Sequence, residues 1–231
     1  MLKEGYAERY AQDKRRTLYP VEFVVRAFLG TYPDLQMPKG EYAGKRLLDL
    51  GFGDGRNFPL FRDLGMKIHG VELSDEINRS AQERLDHMDV EAEFKVGSNS
   101  RIPYPDGYFQ FLVACHSCYY VEPRQSFADN LAEIARVIES GGYFVASLPM
   151  KDGYILKDAK PLADHHFEIT QDPYGIRNGT TFRVFEDEED IRETMGKYFY
   201  DIRIGYCDDM YWGINQKVWV VVCRRQRRKN N

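Results

Sequence analysis

Long apolar runs are missing from this sequence: none approaches the ~20 residues that a bilayer-crossing helix requires. No signal-peptide pattern opens it, so neither a membrane span nor a secreted form is expected. Cysteine is scarce. The four present sit in or beside apolar runs, which reads as reduced thiols in a cytoplasmic protein and not as a disulfide framework. Cys115 and Cys118 have the spacing of half a zinc site, but no second pair accompanies them and no metal is expected. Neither sign of charge is in large excess, with 32 Lys and Arg against 36 Asp and Glu for a net charge of −4. That balance gives no general attraction to nucleic acid. Internal repeats and low-complexity tracts are absent too. What remains is a chain of 231 residues with 43% hydrophobic content, enough for one domain with a full core.

The most informative stretch is Leu47-Leu48-Asp49-Leu50-Gly51-Phe52-Gly53-Asp54-Gly55-Arg56-Asn57. An apolar run carrying one acid breaks into glycines at alternate positions, and Phe58 and Pro59 then open a helix. Glycine lets a ligand approach the backbone because no Cβ intervenes. The helix start adds unpaired N–H donors and a partial positive charge. A dinucleotide fingerprint needs a third small residue where this chain has Arg56, so the spacing argues against a pyrophosphate ligand. Asp-x-Gly-x-Gly-x-Gly resembles instead the first motif of the Rossmann-like S-adenosylmethionine-dependent methyltransferases. That resemblance implies S-adenosylmethionine as cofactor, with Asp49, Gly51, Phe52, Gly53, Gly55 and Asn57 around its amino-acid part.

The following elements keep the same order. Phe58, Leu60, Phe61 and Leu64 recur at helical spacing and Gly65 ends the helix. A second strand over 67–73 closes on Glu72 and Leu73, where a carboxylate can accept ribose hydroxyls. Ser74 reads as the cap of a helix carrying Ile77, Ala81 and Leu85. A third strand over 92–96 leads to Ser98 and Asn99. Related methyltransferases carry Gly-Asp-Ala here, the acid reading the adenine amino group; this chain departs, with Ser98 at the acid position and Asn99 beside it. A buried fourth strand over 110–115 ends at Ala114 and Cys115, next to the cofactor. A helix from Phe127 to Ile138 is expected to stop at Ser140-Gly141-Gly142, before a fifth strand over 143–148. Strands over 199–207 and 216–223 have no helix between them and must pair antiparallel. The expected fold is therefore a doubly wound α/β domain, whose seven-stranded, mostly parallel sheet ends in a C-terminal antiparallel hairpin.

Residues 1–44 and 149–185 lie outside this frame and are expected to form a lid and a substrate insertion. Tyr10 and Tyr19, near Tyr6, Phe23, Arg15, Arg16 and Arg26, are the candidates in the first segment, and Arg177 in the second. Tyr119 and Tyr120 follow the fourth strand. A hydroxyl acceptor must lose a proton, which suits a neutral imidazole. His165 or His166 is the expected base, with His116 orienting the acceptor or the cofactor. Asp172-Pro173-Tyr174 reads as a turn. The basic run 224–229 reads as a solvated terminus. Tyr-x-x-x-Tyr with Pro20-Val-Glu-Phe-Val-Val-Arg26, Ser117-x-Tyr119-Tyr120 and the late Asp-Pro-Tyr-Gly-x-Arg-Asn-Gly resemble bacterial polysaccharide- and sugar-modifying methyltransferases. The acceptor this implies is a small molecule, a sugar or a lipid-linked glycan. A homodimer stays open. Two rivals remain: an NAD(P)-dependent reductase or epimerase, which leaves Arg56 and the hairpin unexplained, and a cofactor-binding regulatory module without turnover.

Overall fold

Consecutive side chains of a strand point to opposite faces, and the central strands carry apolar residues on both. Leu48, Leu50, Leu112, Ala114, Phe144 and Ala146 pack with Leu131, Ile134, Ile191 and Met195. Leu47, Ile68, Phe111, Val113 and Val145 pack on the other side with Phe28, Phe58, Phe61, Ala81 and Leu85. Full burial of each such side chain is worth about 1.5–3 kcal/mol. Two faces of this kind demand helices on both, and the computed structural model, which describes residues 2–12 and 17–227, has them.

In chain order the elements are α1 (Leu2–Gln12), α2 (Glu22–Leu29), β1 (Arg46–Leu50), α3 (Phe58–Asp63), β2 (Lys67–Glu72) and α4 (Asp75–Asp86). There follow β3 (Glu93–Val96), β4 (Phe109–Ala114), β5 (Tyr120–Val121), α5 (Phe127–Val137) and β6 (Ile138–Pro149). After a 3-10 turn (Tyr154–Leu156) come β7 (Lys160–Pro161), β8 (His166–Glu168), β9 (Thr181–Arg183), α6 (Glu188–Met195), β10 (Phe199–Tyr211) and β11 (Ile214–Arg225). Helices α5 and α6 cover one face of the main sheet, α2, α3 and α4 the other. Local signals fix several starts. The Ser74 hydroxyl accepts from Ile77 N–H and caps α4, Ser126 and Asp129 form a capping box on α5, and Asp187 caps α6.

The main sheet is seven-stranded, in the order β10-β11-β6-β4-β1-β2-β3. β1, β2, β3, β4 and β6 are parallel neighbours. β11 runs antiparallel to both β6 and β10. The expected fold class is therefore the observed one. The strand order reverses between β1 and β4, and ligands of open α/β sheets bind outside the strand ends at such a point.

Three features differ from the sequence expectations. Helix α5 ends at Val137, and Ser140-Gly141-Gly142 belongs to the start of β6. Phe109 pairs with Ile138 while Phe111 pairs with Tyr143, so the residues between bulge out of register. A side chain at 142 would strike Ile138 and the Gln110 carbonyl, and Gly141 has φ +81°. The segment before α2 carries a second helix, α1, which rests against α4. The insertion 149–185 folds into a small antiparallel sheet, in the order β5-β9-β8-β7, and recruits β5 from the loop after β4. Arg15, Arg16, Arg228 and Lys229 lie outside the described residues.

Candidate active site

The chain leaves β1 through Gly51, Gly53 and Gly55, with φ +70°, +61° and +76°, values that L side chains avoid. A Cβ at Gly51 would lie 2.5 Å from Ser117 Cβ, and one at Gly53 would collide with the Tyr10 hydroxyl. Gly55 faces Leu85 of α4 instead, away from the cleft. Arg56 turns to pair with Asp54 at 2.5 Å. Two acids flank this bend from below. Gly53 N–H donates to Glu72 Oε1 at 2.8 Å and Leu73 N–H to Oε2 at 2.9 Å. Burial raises the Glu72 carboxyl against those two bonds. Asp49 is fully buried, and Asn57 Nδ2 donates to its Oδ2 at 3.3 Å. Its Oδ1 has no partner among the described residues. Burial, with help from Glu72 and Asp54 and against the Asn57 bond, pushes the Asp49 carboxyl up to about 7.

An unpaired buried acceptor is costly unless a hydrogen-bond donor, such as an ammonium group, joins it. The residues thus fit S-adenosylmethionine on their own geometry: an orphaned carboxylate oxygen for an ammonium group, a cradle of backbone that a Cβ would fill, and a second acid nineteen positions past Gly53, where a ribose is read.

Farther along the same edge, Asn99 Nδ2 donates to the Ser117 and Tyr120 carbonyls at 2.8 and 3.1 Å, tying the loop after β3 to that after β4. The Ser98 and Ser100 hydroxyls both donate to Glu122 Oε2, at 2.9 and 2.6 Å.

On the other side, β4 gives way to Cys115 and His116. His116 adopts φ +56°. Its backbone N–H donates to Ser147 Oγ at 2.9 Å, its Nδ1 lies 3.1 Å from the same oxygen, and its Nε2 lies 3.4 Å from the Gln216 amide. The ring meets Phe23 edge-on at 6.0 Å. Burial, then the charges of Arg177 and Arg56, lower its pKa to about 4, so the ring is neutral near pH 7. Tyr119 and Tyr120 stack at 5.1 Å. Arg177 pairs with the buried Asp172 at 2.6 Å and donates to the Tyr154 hydroxyl at 3.0 Å. Asp172 also accepts from the N–H groups of Tyr174, Ile176 and Arg177, so Asp-Pro-Tyr is a turn built around one side chain.

Helix α1 closes the top. Tyr6 and Tyr10 stack at 5.9 Å, and Arg84 donates to the Tyr10 carbonyl. The cleft so bounded measures about 1870 Å³ and runs from the glycine bend to the ends of β10 and β11.

Of the candidates from the sequence, Asp49, Gly51, Phe52, Gly53, Asn57, Glu72, Leu73, Ser98, Asn99, Cys115 and His116 line this one cleft, as do Tyr10, Tyr119, Tyr120 and Arg177. Five do not. His165 faces Glu186, its Nδ1 3.5 Å from Oε1, and His166 donates from Nδ1 to the Ala163 carbonyl at 3.1 Å. His165 lies in the turn before β8 and His166 opens that strand; neither lines the cleft, where the base was expected. Tyr19 is 77% exposed on the surface. Ala114 points into the core beside α5, and Gly55 touches α4. Sequence reasoning missed Glu122, Tyr154 and Gln216 as cleft residues, and named Tyr6 only as a neighbour of Tyr10 in the lid segment. Glu122, Tyr154 and Gln216 carry no local signal.

Residues 48–146 match the methyltransferase domain family. Over 105 residues the chain is 30% identical to the 2-methyl-6-phytyl-1,4-hydroquinone methyltransferase of Synechocystis, a span that covers 45% of this chain and 32% of that protein. The chain thus accounts for about a third of that relative's length. Among solved structures it resembles an S-adenosylmethionine-dependent methyltransferase from Methanosarcina mazei, with TM-score 0.61 at 19% identity over 85% of this chain and 98% of that one. It also resembles, at TM-score 0.67 and 17% identity over 100% of both chains, a structure of the Haloferax volcanii Trm112 methyltransferase activator in complex with its putative methyltransferase. At those identities the likeness establishes the fold.

Proposed function

We propose, for a chain that belongs to the Rossmann-like S-adenosylmethionine-dependent methyltransferases, that it moves a methyl group to a hydroxyl of a small molecule, a sugar or lipid-linked glycan. The family implies S-adenosylmethionine as donor, and when bound it supplies a methyl group on a sulfonium, already an excellent leaving group. The protein's task is then alignment, exclusion of water and removal of one proton. Asp49 and the Gly51–Gly53 bend hold the amino-acid part, and Glu72 holds the ribose.

The observation that carries the acceptor chemistry is His116, neutral and fixed just past the end of β4 in the same cleft as Asp49 with its orphaned Oδ1. If Nδ1–H is donated to Ser147 Oγ, the Nε2 lone pair faces the cleft, and the long contact to Gln216 is the one an acceptor hydroxyl replaces. His116 thus takes over as base the role first sought at His165 and His166. His116 Nε2 would take the proton of the acceptor hydroxyl, leaving that oxygen able to accept the methyl group as the sulfonium releases it. Tyr6, Tyr119, Tyr120 and Tyr154 offer ring faces and hydroxyls beside Arg177, a wall that suits a ring with apolar faces and polar rim. In this reading residues 1–44 and 149–185 are the acceptor-binding parts of one domain. Among the described residues no helix is long and apolar enough to cross a membrane. The cysteines are free thiols, which favours a cytoplasmic setting.

The test is incorporation of labelled methyl from S-adenosylmethionine into a cell extract separated into small molecules, glycans, RNA and protein. Label in the small-molecule or glycan fraction that vanishes with His116→Ala supports the reading. Label confined to RNA or protein overturns it. Calorimetry with S-adenosylhomocysteine against NADH checks the ligand class independently.

A further inference from the structure

The acid that the loop after β3 lacks is restored from another part of the chain. Ser98 stands where an acid is expected, and its hydroxyl is spent as a donor to Glu122. Asn99 commits its amide nitrogen to two carbonyls of the loop after β4. Both side chains thus build the corner. Glu122 belongs to the loop between β5 and α5 and lines the cleft at the end occupied by Gly97, Ser98 and Pro103. Its Oε2 accepts from Ser98 Oγ at 2.9 Å and Ser100 Oγ at 2.6 Å. Its Oε1 has no hydrogen-bond partner among the described residues. A side chain with several rotatable bonds is thereby held through one oxygen, while the other is left to accept. A flexible carboxylate would lose rotamer entropy on meeting a ligand, and two hydroxyl donors remove much of that cost beforehand.

We infer that Glu122 is the residue that recognises the exocyclic amino group of adenine in this protein, with Ser98 and Ser100 as the positioning residues that aim it. The amino N–H donates to Oε1. This rests on the reading that the cleft binds S-adenosylmethionine, and it moves the purine-reading acid from the strand-end loop to a segment reached only through the β5 excursion. The arrangement also couples the cofactor to the acceptor side. Glu122 follows directly on Tyr120 and Val121, and Tyr120 carries the Tyr6 contact of the lid.

The experiment is calorimetric binding of S-adenosylhomocysteine and of its purine analogue with hydrogen in place of the amino group, to wild type, Glu122→Ala and the Ser98→Ala/Ser100→Ala pair. A hydrogen bond to a charged acceptor predicts that wild type prefers the amino form by about tenfold or more. Glu122→Ala brings that ratio close to one, and the serine pair reduces it partway. The ratio is insensitive to a general loss of folded protein, because both ligands report on the same preparation. A ratio that stays at the wild-type value in Glu122→Ala overturns the inference and hands recognition to Asn99 Oδ1 or the backbone. Failure of wild type to bind S-adenosylhomocysteine at all overturns the methyl-transfer reading itself, so the two failures are distinct.

Discussion

The Tyr6 hydroxyl lies 2.8 Å from the Tyr120 hydroxyl, a hydrogen bond between residues 114 positions apart. It joins α1, in which no residue is fully buried, to the loop that carries the acceptor side of the cleft. Among the described residues its other ties include Arg84 to the Tyr10 carbonyl and the Arg9 guanidinium 4.9 Å above the Tyr174 ring. A helix held by polar and aromatic contacts at its edges can leave and return without unfolding the core.

Tyr6→Phe removes one hydroxyl and keeps the ring stacking on Tyr10. A hydrogen bond of this kind contributes about 1 kcal/mol net, so release of S-adenosylhomocysteine should speed up by roughly fivefold. The melting temperature should barely move, because α1 contributes little buried surface. Stopped-flow displacement, with limited proteolysis of residues 1–12 beside it, checks both. Release at the wild-type rate would show that closure does not depend on this contact.

His116 makes a prediction with a sign. Loss of a general base costs about 10²–10⁴ in turnover, so His116→Ala should lower kcat by that order while S-adenosylhomocysteine binds nearly as before. With a pKa lowered to about 4 by burial first, and then by Arg177 and Arg56, the ring stays neutral across pH 6 to 8. The acid limb of the rate profile should therefore fall near pH 4 to 5, well below an ordinary histidine. Linkage runs the same way. Between the folded value and the unfolded value near ~6.5 the unfolded chain binds the extra proton, so stability is lost as pH falls through that window. His116→Gln should flatten this part of the urea-midpoint curve, and a limb unchanged by the substitution would exclude His116 as its cause.

Much of this was legible because it is local. The glycine bend, Glu72 and the cap at Ser74 each depend on a few adjacent residues. The hairpin followed from the lack of a helix between two apolar runs. The small sheet was not legible, since β5 and β7 have two residues and β8 and β9 three, too short to show an alternation. That blindness explains the misplaced histidines: where β8 and the turn before it lie is decided by pairing with β7 and β9, not by the sequence around 165–166. Glu122 was hidden for the same reason, because its partners Ser98 and Ser100 come from a different strand end.

Gly53→Ala should separate backbone strain from crowding. A non-glycine residue at φ +61° costs about 1–2 kcal/mol on conformation alone. The added Cβ also meets the Tyr10 hydroxyl, the far end of a side chain that can swing away. Gly175→Ala, at φ +70° with nothing within 4 Å, pays only the first cost and serves as the control. Both variants should lose a similar amount of stability in urea, whereas only Gly53→Ala should weaken S-adenosylhomocysteine binding severely. Adding Tyr10→Phe should recover part of that affinity. No recovery would mean that the lid is not what the new methyl group displaces.

Asp49 sets stability against binding. Its carboxyl is raised to about 7 by burial, with Glu72 and Asp54 adding repulsion and Asn57 opposing. The folded protein therefore holds a proton that the unfolded chain has released above ~3.9, and stability falls as pH rises from about 4 to 7. Asp49→Asn keeps the shape and removes the charge, so it should raise the melting temperature at pH 8, each kcal/mol being worth roughly 2–4 °C in a chain of this size. The same change should weaken S-adenosylhomocysteine binding by tenfold or more, since a buried acceptor for its ammonium group is lost. In wild type the ligand's cation favours the ionised carboxylate, so binding should tighten as pH rises through 7 and release a proton. Calorimetry in two buffers of different ionisation enthalpy measures that proton directly. Equal apparent enthalpies in the two buffers at pH 6.5, with an unchanged melting temperature in Asp49→Asn, would remove Asp49 from both roles.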